Sequence, residues 1–283
     1  MKINVMNNTK IWYITGASKG IGLSLVKQLL SKGHKVAATS RTVTAFEALS
    51  IKGENFLPLE VDLKDEQSIA KSLEKTTKYF GSLDVVINNA GYGLGGALEE
   101  LDAAEIEENF QINFFAVVKV IQGALPYLRN QGSGHIINIS SIAGFAPGLG
   151  WSIYSSAKSA VTGRSEALAN ELKLLGINVT AVLPGWFRTN FAKQDSIAFC
   201  QNQIDAYQHL RTAHQRMNEI DGNQLGDPSQ IADVLIQLVF NANPPVLLFL
   251  GTDAFQRAQD KIVQLSEQIE QWKSLSSSTD FKN

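Results

Sequence analysis

Tyr154 and Lys158 lie four positions apart in the stretch YSSAK over residues 154–158. Four positions is just over one helical turn, so a helix here presents both side chains on one face. A phenol beside an ammonium is equipment for moving protons, and the same two residues are also ordinary on any helix. With six tyrosines in the chain, a Tyr-x-x-x-Lys arises by chance in roughly a third of such sequences at average residue usage. A second group shares this ambivalence. Gly16, Gly20 and Gly22 in ITGASKGIG follow a strand-like run and open a helical one. Three glycines at fixed offsets occur somewhere in roughly one chain in ten. Their place between strand and helix raises their meaning. A turn without side chains lets backbone N–H groups approach a pyrophosphate, and a helix N-terminus adds a favourable dipole.

If a dinucleotide sits there, the end of the second strand reads its ribose. An acid at that point would hold the 2′-OH of NAD, but Ser40-Arg41 stands there instead. Arg41 pairs well with a 2′-phosphate, and Lys19 inside the glycine turn adds a second positive charge. NADP(H) is therefore expected over NAD(H). Asp62, closing the third strand-like run, either accepts from an adenine amino group or caps the next helix.

The elements that must position these residues follow from hydrophobic pattern. Residues 11–15, 35–40, 55–62, 83–90, 134–141, 177–184 and 245–251 are short, mostly continuous apolar runs, as for parallel strands covered on both faces. Amphipathic stretches such as IGLSLVKQLLSKG, stopped by Gly33, alternate with them. That alternation predicts an α/β fold: a doubly wound parallel sheet of about seven strands with helices on both faces. No repeat or linker divides residues 1–283, so a single domain is expected. Residues 190–225 read as a mostly helical insert and 274–283 as a frayed polar tail.

Composition bounds the partners. The chain has 283 residues, 44% apolar and 18% charged, with a formal net charge of -2. No broad basic surface for nucleic acid or anionic membrane is expected. The single Cys200 leaves no internal disulfide and no thiol metal cluster. His34, His135, His209 and His214 have no metal-ligand spacing and read as surface residues, so no metal is expected. The acidic stretch LEELDAAEIEEN reads as a solvated helix face with Asp102 at its cap. No signal-like or membrane-length apolar run is present, and a cytoplasmic location is expected.

Taken in order, TGASKGIG (15–22), NNAG (88–91), Asn113, Ser141, Tyr154-x-x-x-Lys158 and PGWFRT (184–189) resemble the short-chain dehydrogenase/reductase family over roughly residues 10–255. NNAGYG, PGWFRTNF and PPVLLFLGTDA further resemble its 17β-hydroxysteroid-dehydrogenase-like group. The resemblance implies a Rossmann-type fold and an oxidoreductase with a four-residue catalytic set. Asn113 would hold a water that relays protons to Lys158. Ser141 would hydrogen-bond the substrate carbonyl, and Tyr154 would be general acid in reduction and base in oxidation. Lys158 would hold the nicotinamide ribose and lower the Tyr154 pKa. Ser18, Ile21, Leu63, Asn89, Ala90, Gly91, Pro184, Gly185, Phe187 and Thr189 would join the glycines in holding the cofactor.

Physical chemistry agrees with these roles. An ammonium ~5 Å from the phenol, at an effective dielectric of ~20, contributes about 3 kcal/mol, or roughly two pKa units. A preset hydroxyl at Ser141 stabilises the oxyanion that hydride addition builds. Phe145, Leu149, Trp151, Trp186, Phe187, Phe191, Phe199, Tyr207 and Met217 offer an apolar wall for a bulky ketone, aldehyde or secondary alcohol. The insert would act as its lid. Apolar faces on FFAVVKVIQGALPYL and AVTGRSEALANELKLL lead to an expected homodimer. Two alternatives stand beside this reading. One is an epimerase or dehydratase of the extended branch, disfavoured by the glycine spacing and the lack of a separate substrate domain. The other is a non-catalytic nucleotide sensor, which has no need of Tyr154 or Lys158.

Overall fold

The computed structural model describes residues 9–47, 51–189, 196–219 and 222–281. In chain order the strands are β1 (Ile11–Ile14), β2 (Lys35–Ser40), β3 (Phe56–Glu60), β4 (Val85–Asn88), β5 (Gly93–Gly95), β6 (Gly134–Ile139), β7 (Ile177–Pro184), β8 (Ile197–Phe199) and β9 (Leu247–Leu250). Seven of them form one parallel sheet in the order β3-β2-β1-β4-β6-β7-β9. These coincide with the seven apolar runs of the sequence. The helices are α1 (Gly20–Ser31), α2 (Thr44–Glu47), α3 (Glu66–Phe80), α4 (Ala103–Phe110), α5 (Ala116–Gln131), α6 (Ser152–Leu172), α7 (Gln208–Glu219), α8 (Ile231–Val239) and α9 (Thr252–Ser276).

The unbroken apolar character of the strands has a direct cause. Successive strand side chains face opposite sides, and both sides of this sheet are covered. Trp12 and Ile14 pack with Leu25 and Leu29 of α1 and Leu235 of α8. Tyr13, between them in sequence, packs on the other side with Leu73 of α3, Val120 of α5 and Val161 of α6. Each fully buried aliphatic side chain contributes about 2 kcal/mol, so two such layers fix the sheet. The strand order reverses beside β1, with β2 and β3 on one side and β4 onward on the other. In sheets of this kind the ligand crevice opens at that reversal, beyond the carboxyl ends of the strands.

Helix ends follow local chemistry. Gly33 ends α1 at a φ of 82°, with its N–H donating to Leu30 O at 3.0 Å. Asp65 caps α3 by accepting from Gln67 N at 2.9 Å. Asp62 therefore does not cap that helix; its carboxylate accepts from Lys64 N at 2.9 Å.

Two findings go beyond the expectations. Besides its helical residues, the insert carries a strand. Its described part contains β8, a short turn at Asp205–Tyr207 and α7, and β8 pairs in parallel with β5. Neither GLG nor IAF has a strand-like pattern, so this pairing is a tertiary outcome. The polar tail does not begin frayed: α9 continues to Ser276 and a further short turn covers Ser277–Thr279. Phe191 lies outside the described residues, as does the side chain of Met217.

Candidate active site

At the glycine turn, Gly16 and Gly20 adopt φ values of 62° and 56°, where other residues are strained. A Cβ on Gly16 would also stand 2.7 Å from Ala90 Cα. The NNAG segment is latched against this turn. Asn89 Nδ2 donates to the carbonyls of Thr15 and Gly16 at 3.0 and 2.9 Å. Thr15 Oγ1 accepts from the N–H groups of Asn89 and Ala90 at 3.0 and 3.1 Å. The first turn of α1 has no side-chain cap and no acidic residue, so its N–H groups suit an anion. Gly22 does not line the cleft, contrary to expectation. Its Cβ would lie 2.5 Å from Asn89 Nδ2 and 2.6 Å from Gly16 O, so it is the close-packing point of α1.

A cleft of about 1100 Å³ runs from this turn along the strand ends. Gly16, Ser18, Lys19, Gly20, Ile21, Ser40, Arg41, Asp62, Leu63, Asn89, Ala90 and Gly91 line one part of it. Ser141, Tyr154, Lys158, Pro184, Gly185, Phe187 and Thr189 line the rest. A polar recess of about 410 Å³ adjoins it between Ser18, Lys19, Ser40, Arg41, Thr42 and Ala45. The two expected phosphate-reading cations thus share one recess.

Ser141, Tyr154 and Lys158, the residues expected to react, are fixed from three directions. Ser141 follows β6; its Oγ accepts from Ala143 N at 3.1 Å and shares a hydrogen bond with Tyr154. Ser140 faces the other way, bonding Lys158 O at 3.0 Å and Thr162 Oγ1 at 2.9 Å, which pins α6 to the strand end. Lys158 Nζ donates to Ile139 O at 2.9 Å and lies 5.9 Å from the centre of the Tyr154 ring. Asn113 sits in a π-helical turn, Gln111–Phe115, between α4 and α5. It does not line the cleft. Its Nδ2 donates to Tyr92 O at 2.9 Å and Asn109 O at 3.1 Å, and its Oδ1 accepts from Tyr92 N at 3.2 Å. A Cβ on Gly91 would fall 2.5 Å from Asn113 Oδ1 and 3.2 Å from Lys158 Nζ. Asn113 and Lys158 therefore converge behind one glycine.

Burial dominates the electrostatics here. It pushes the Tyr154 phenol up to about 12, opposed by the hydrogen bond to Ser141. It pulls the Lys158 ammonium down to about 8. The expected lowering of Tyr154 by Lys158 is not what the protein alone produces. Desolvation disfavours both charged forms, so the resting pair near neutral pH is a phenol beside an ammonium.

On the substrate side Leu149, Trp151 and Trp186 line the cleft. Phe145 does not. Its ring meets Phe249 edge-on at 5.1 Å and packs on Ile142, Ala254 and Ala258, because the loop after β6 turns it under α9. Trp151 instead contacts Tyr154, Phe199 and His214, with ring centres 6.0, 6.0 and 5.0 Å apart. His214 is buried, as are His34 and His135, so three of the four histidines are not on the surface as expected. His135 bonds Thr180 Oγ1 at 3.0 Å, and His34 accepts from Lys10 N at 3.2 Å.

The acidic stretch holds a further departure. Asp102 does cap α4, accepting from Glu105 N at 2.7 Å, but Glu100 is buried rather than solvated. Its Oε1 accepts from Ile204 N at 2.8 Å and pairs with Arg211 Nη1 at 2.7 Å. Its Oε2 accepts from Ala97 N at 3.1 Å and lies 3.6 Å from Cys200 Sγ. The Ile204 N–H, then the Ala97 N–H and Arg211, hold this carboxyl down to about 2 against the opposing effect of burial. Glu100 thus latches the insert to the body. Arg257 of α9 also reaches the cleft. Nothing local in sequence marks either residue, since their partners lie about a hundred positions away.

Among the described residues, no three His, Cys, Asp or Glu side chains are grouped as metal ligands. Among them also, no helix is long and apolar enough to cross a membrane.

A glycine-turn dinucleotide cleft with a Ser, Tyr and Lys at its centre defines a Rossmann-type oxidoreductase. The short chain dehydrogenase family model matches residues 10–198, and the chain belongs to that family. Oxidoreductase BOA17 of Botryotinia fuckeliana is 35% identical over 95% of this chain and 98% of its own. The 3-ketodihydrosphingosine reductase of Bacteroides thetaiotaomicron is 35% identical over 86% of this chain and 88% of its own. A solved short-chain dehydrogenase from Streptomyces avermitilis superposes with a TM-score of 0.89. It is 29% identical and is matched over 97% of this chain and 100% of that one.

Proposed function

We propose that this protein is an NADPH-dependent carbonyl reductase, and an alcohol dehydrogenase in reverse, acting on apolar ketones, aldehydes or secondary alcohols. The observation that carries the proposal is the meeting of Ser141, Tyr154 and Lys158 on one cleft, with cations at one end and aromatic rings at the other. The relative named as a ketodihydrosphingosine reductase supports a keto group on an apolar compound as the substrate class.

A bound nicotinamide supplies or accepts the hydride. Gly16, Gly20 and the first turn of α1 would hold the pyrophosphate, Lys19 and Arg41 the 2′-phosphate, and Asp62 the adenine. Gly91, Lys158, Pro184, Gly185 and Thr189 would hold the nicotinamide half. Tyr154 Oη donates a proton to the substrate oxygen as negative charge develops there, and Ser141 Oγ hydrogen-bonds the same oxygen. A phenol near 12 is still far more acidic than the alcohol that forms, so proton transfer to the developing alkoxide runs downhill. Lys158, an ammonium at neutral pH, stabilises the phenolate left behind. Asn113 acts behind Gly91, holding the Tyr92 backbone next to Lys158 Nζ.

The test is nicotinamide absorbance decay with purified protein, NADPH or NADH, and a panel of apolar ketones and aldehydes. Turnover that is faster with NADPH is expected. Equal use of NADH would overturn the cofactor assignment. Tight NADPH binding with no turnover, unchanged in Tyr154→Phe, would overturn the enzyme reading in favour of a sensor.

A further inference from the structure

Helix α9 rests on the body only at its start. Ala254 and Ala258 are buried against Ile142, Phe145 and Phe249, whereas every described residue from Ile262 to Phe281 is exposed. At 1.5 Å per residue, the stretch from Ile262 to Ser276 projects about 22 Å. A helix of about 15 residues is marginal in water on its own. One ion pair along it, Lys273 with Glu270 at 3.4 Å, adds only about 0.3 kcal/mol. Something else must hold it.

The pattern of the helix says what. Ile262, Leu265, Ile269 and Trp272 succeed one another at steps of three, four and three, a 3.5-residue period that continues, beyond the body, the face on which Ala258 is buried. Val263 and Leu275 are also exposed beside this stripe, and its period matches a second helix wound around it. Along the seam Ile262, Leu265, Ile269 and Trp272 are 54%, 37%, 67% and 54% exposed. We propose that α9 is one strand of a two-stranded coiled coil whose other strand is α9 of a second copy of this chain.

Area favours this occupant, and charge does not oppose it. Over α9, Arg257, Lys261 and Lys273 face Asp253, Asp260, Glu267 and Glu270, so the helix lacks the basic face that draws an amphipathic helix to anionic lipid. The positions flanking the seam are Lys261, Ser266, Gln268 and Lys273. In a parallel pair Lys261 meets Ser266 and Gln268 meets Lys273. In an antiparallel pair Ser266 and Gln268 each meet their own copies. Like charges oppose in neither case, so no electrostatic term excludes self-pairing. With ordinary side-chain areas, the seam and its flanks cover roughly 600 Å² per copy. Two copies then reach about 1,200 Å², the lower bound of a specific interface. Two identical helices also close the contact on a two-fold axis, which leaves no edge for further growth.

The experiment is sedimentation equilibrium on the full chain beside Leu265→Glu/Ile269→Glu. The particle mass should fall by half in the variant, while NADPH binding, which involves neither residue, stays as in the wild type. A second variant, Leu265→Cys/Ile269→Cys, should form a covalent dimer on oxidation in either helix orientation, with the wild type and its lone Cys200 as the uncross-linked control. An unchanged mass together with no cross-linked dimer overturns the proposal. So does co-sedimentation of the wild type, but not the Glu variant, with phosphatidylcholine/phosphatidylglycerol vesicles while the mass is the same for both. That outcome would make the seam a lipid contact.

Discussion

Tyr154 and Lys158 are held in opposite senses by the same cause. Burial keeps the phenol protonated, up to about 12, and makes the ammonium ready to lose its proton, near 8. Carbonyl reduction should therefore hold its rate from neutral pH to about 8 and fall above it, as Lys158 loses its charge; the pH profile of kcat checks this. The same group links to stability. Native Lys158 sheds its proton near 8 and unfolded lysine near 10.5, so the unfolded state binds more protons in that window. Stability relative to Lys158→Met should rise by about 3 kcal/mol between those pH values, read from paired denaturant curves. Tyr154→Phe should lower kcat by about 10²–10⁴ with NADPH binding retained by fluorescence titration. Arg41→Ala should raise the KM for NADPH by roughly tenfold or more and leave that for NADH unchanged, since only a 2′-phosphate has a charge there to lose. The sequence shows the types and order of these residues. It does not show that Phe145 turns away from the cleft, that Gly22 packs, or that Asn113 stands behind Gly91, because each depends on how a loop or helix leaves its strand.

At the scale of elements, the seven parallel strands were legible because each is apolar on both faces, a signal that survives without its neighbours. The pairing of β5 with β8 was not, since GLG and IAF form strands only when each supplies the other's hydrogen bonds. The latch on the insert was equally hidden. Glu100 looks solvated in an acidic run and becomes buried only because Ile204 and Arg211 arrive from about a hundred residues away. Arg211→Leu should loosen the insert and raise substrate KM by about tenfold, the value of one hydrogen bond to a charged group, with little change in cofactor binding. Acid should act likewise. Glu100 is ionised in the folded state down to about 2 against an ordinary 4.5. Its contribution is therefore complete above 4.5 and lost as pH falls from there towards 2. Glu100→Gln should flatten that part of the unfolding curve.

In the whole molecule, one sheet with a packed layer on each side carries the cleft along its strand ends, so ligand binding and global stability are linked. NADPH at about a hundred times its Kd should stabilise the fold by about 2.7 kcal/mol, a rise of roughly 5–10 °C in Tm, and NADH at equal concentration should give less. The sequence by itself determined the family and the parallel sheet, and it named the residues proposed as the reactive set. Period-two and period-3.6 patterns, and motifs within a turn or two, are local properties that a chain displays before it folds. Only the tertiary structure decided which aromatic rings face the cleft, that three histidines and Glu100 are buried, and that α9 leaves the body with its apolar seam uncovered. Those facts depend on contacts between residues far apart in the chain. The burial that sets the protonation of Tyr154 and Lys158, and the hydrogen bonds that hold Glu100 ionised against its own burial, exist only once such contacts form.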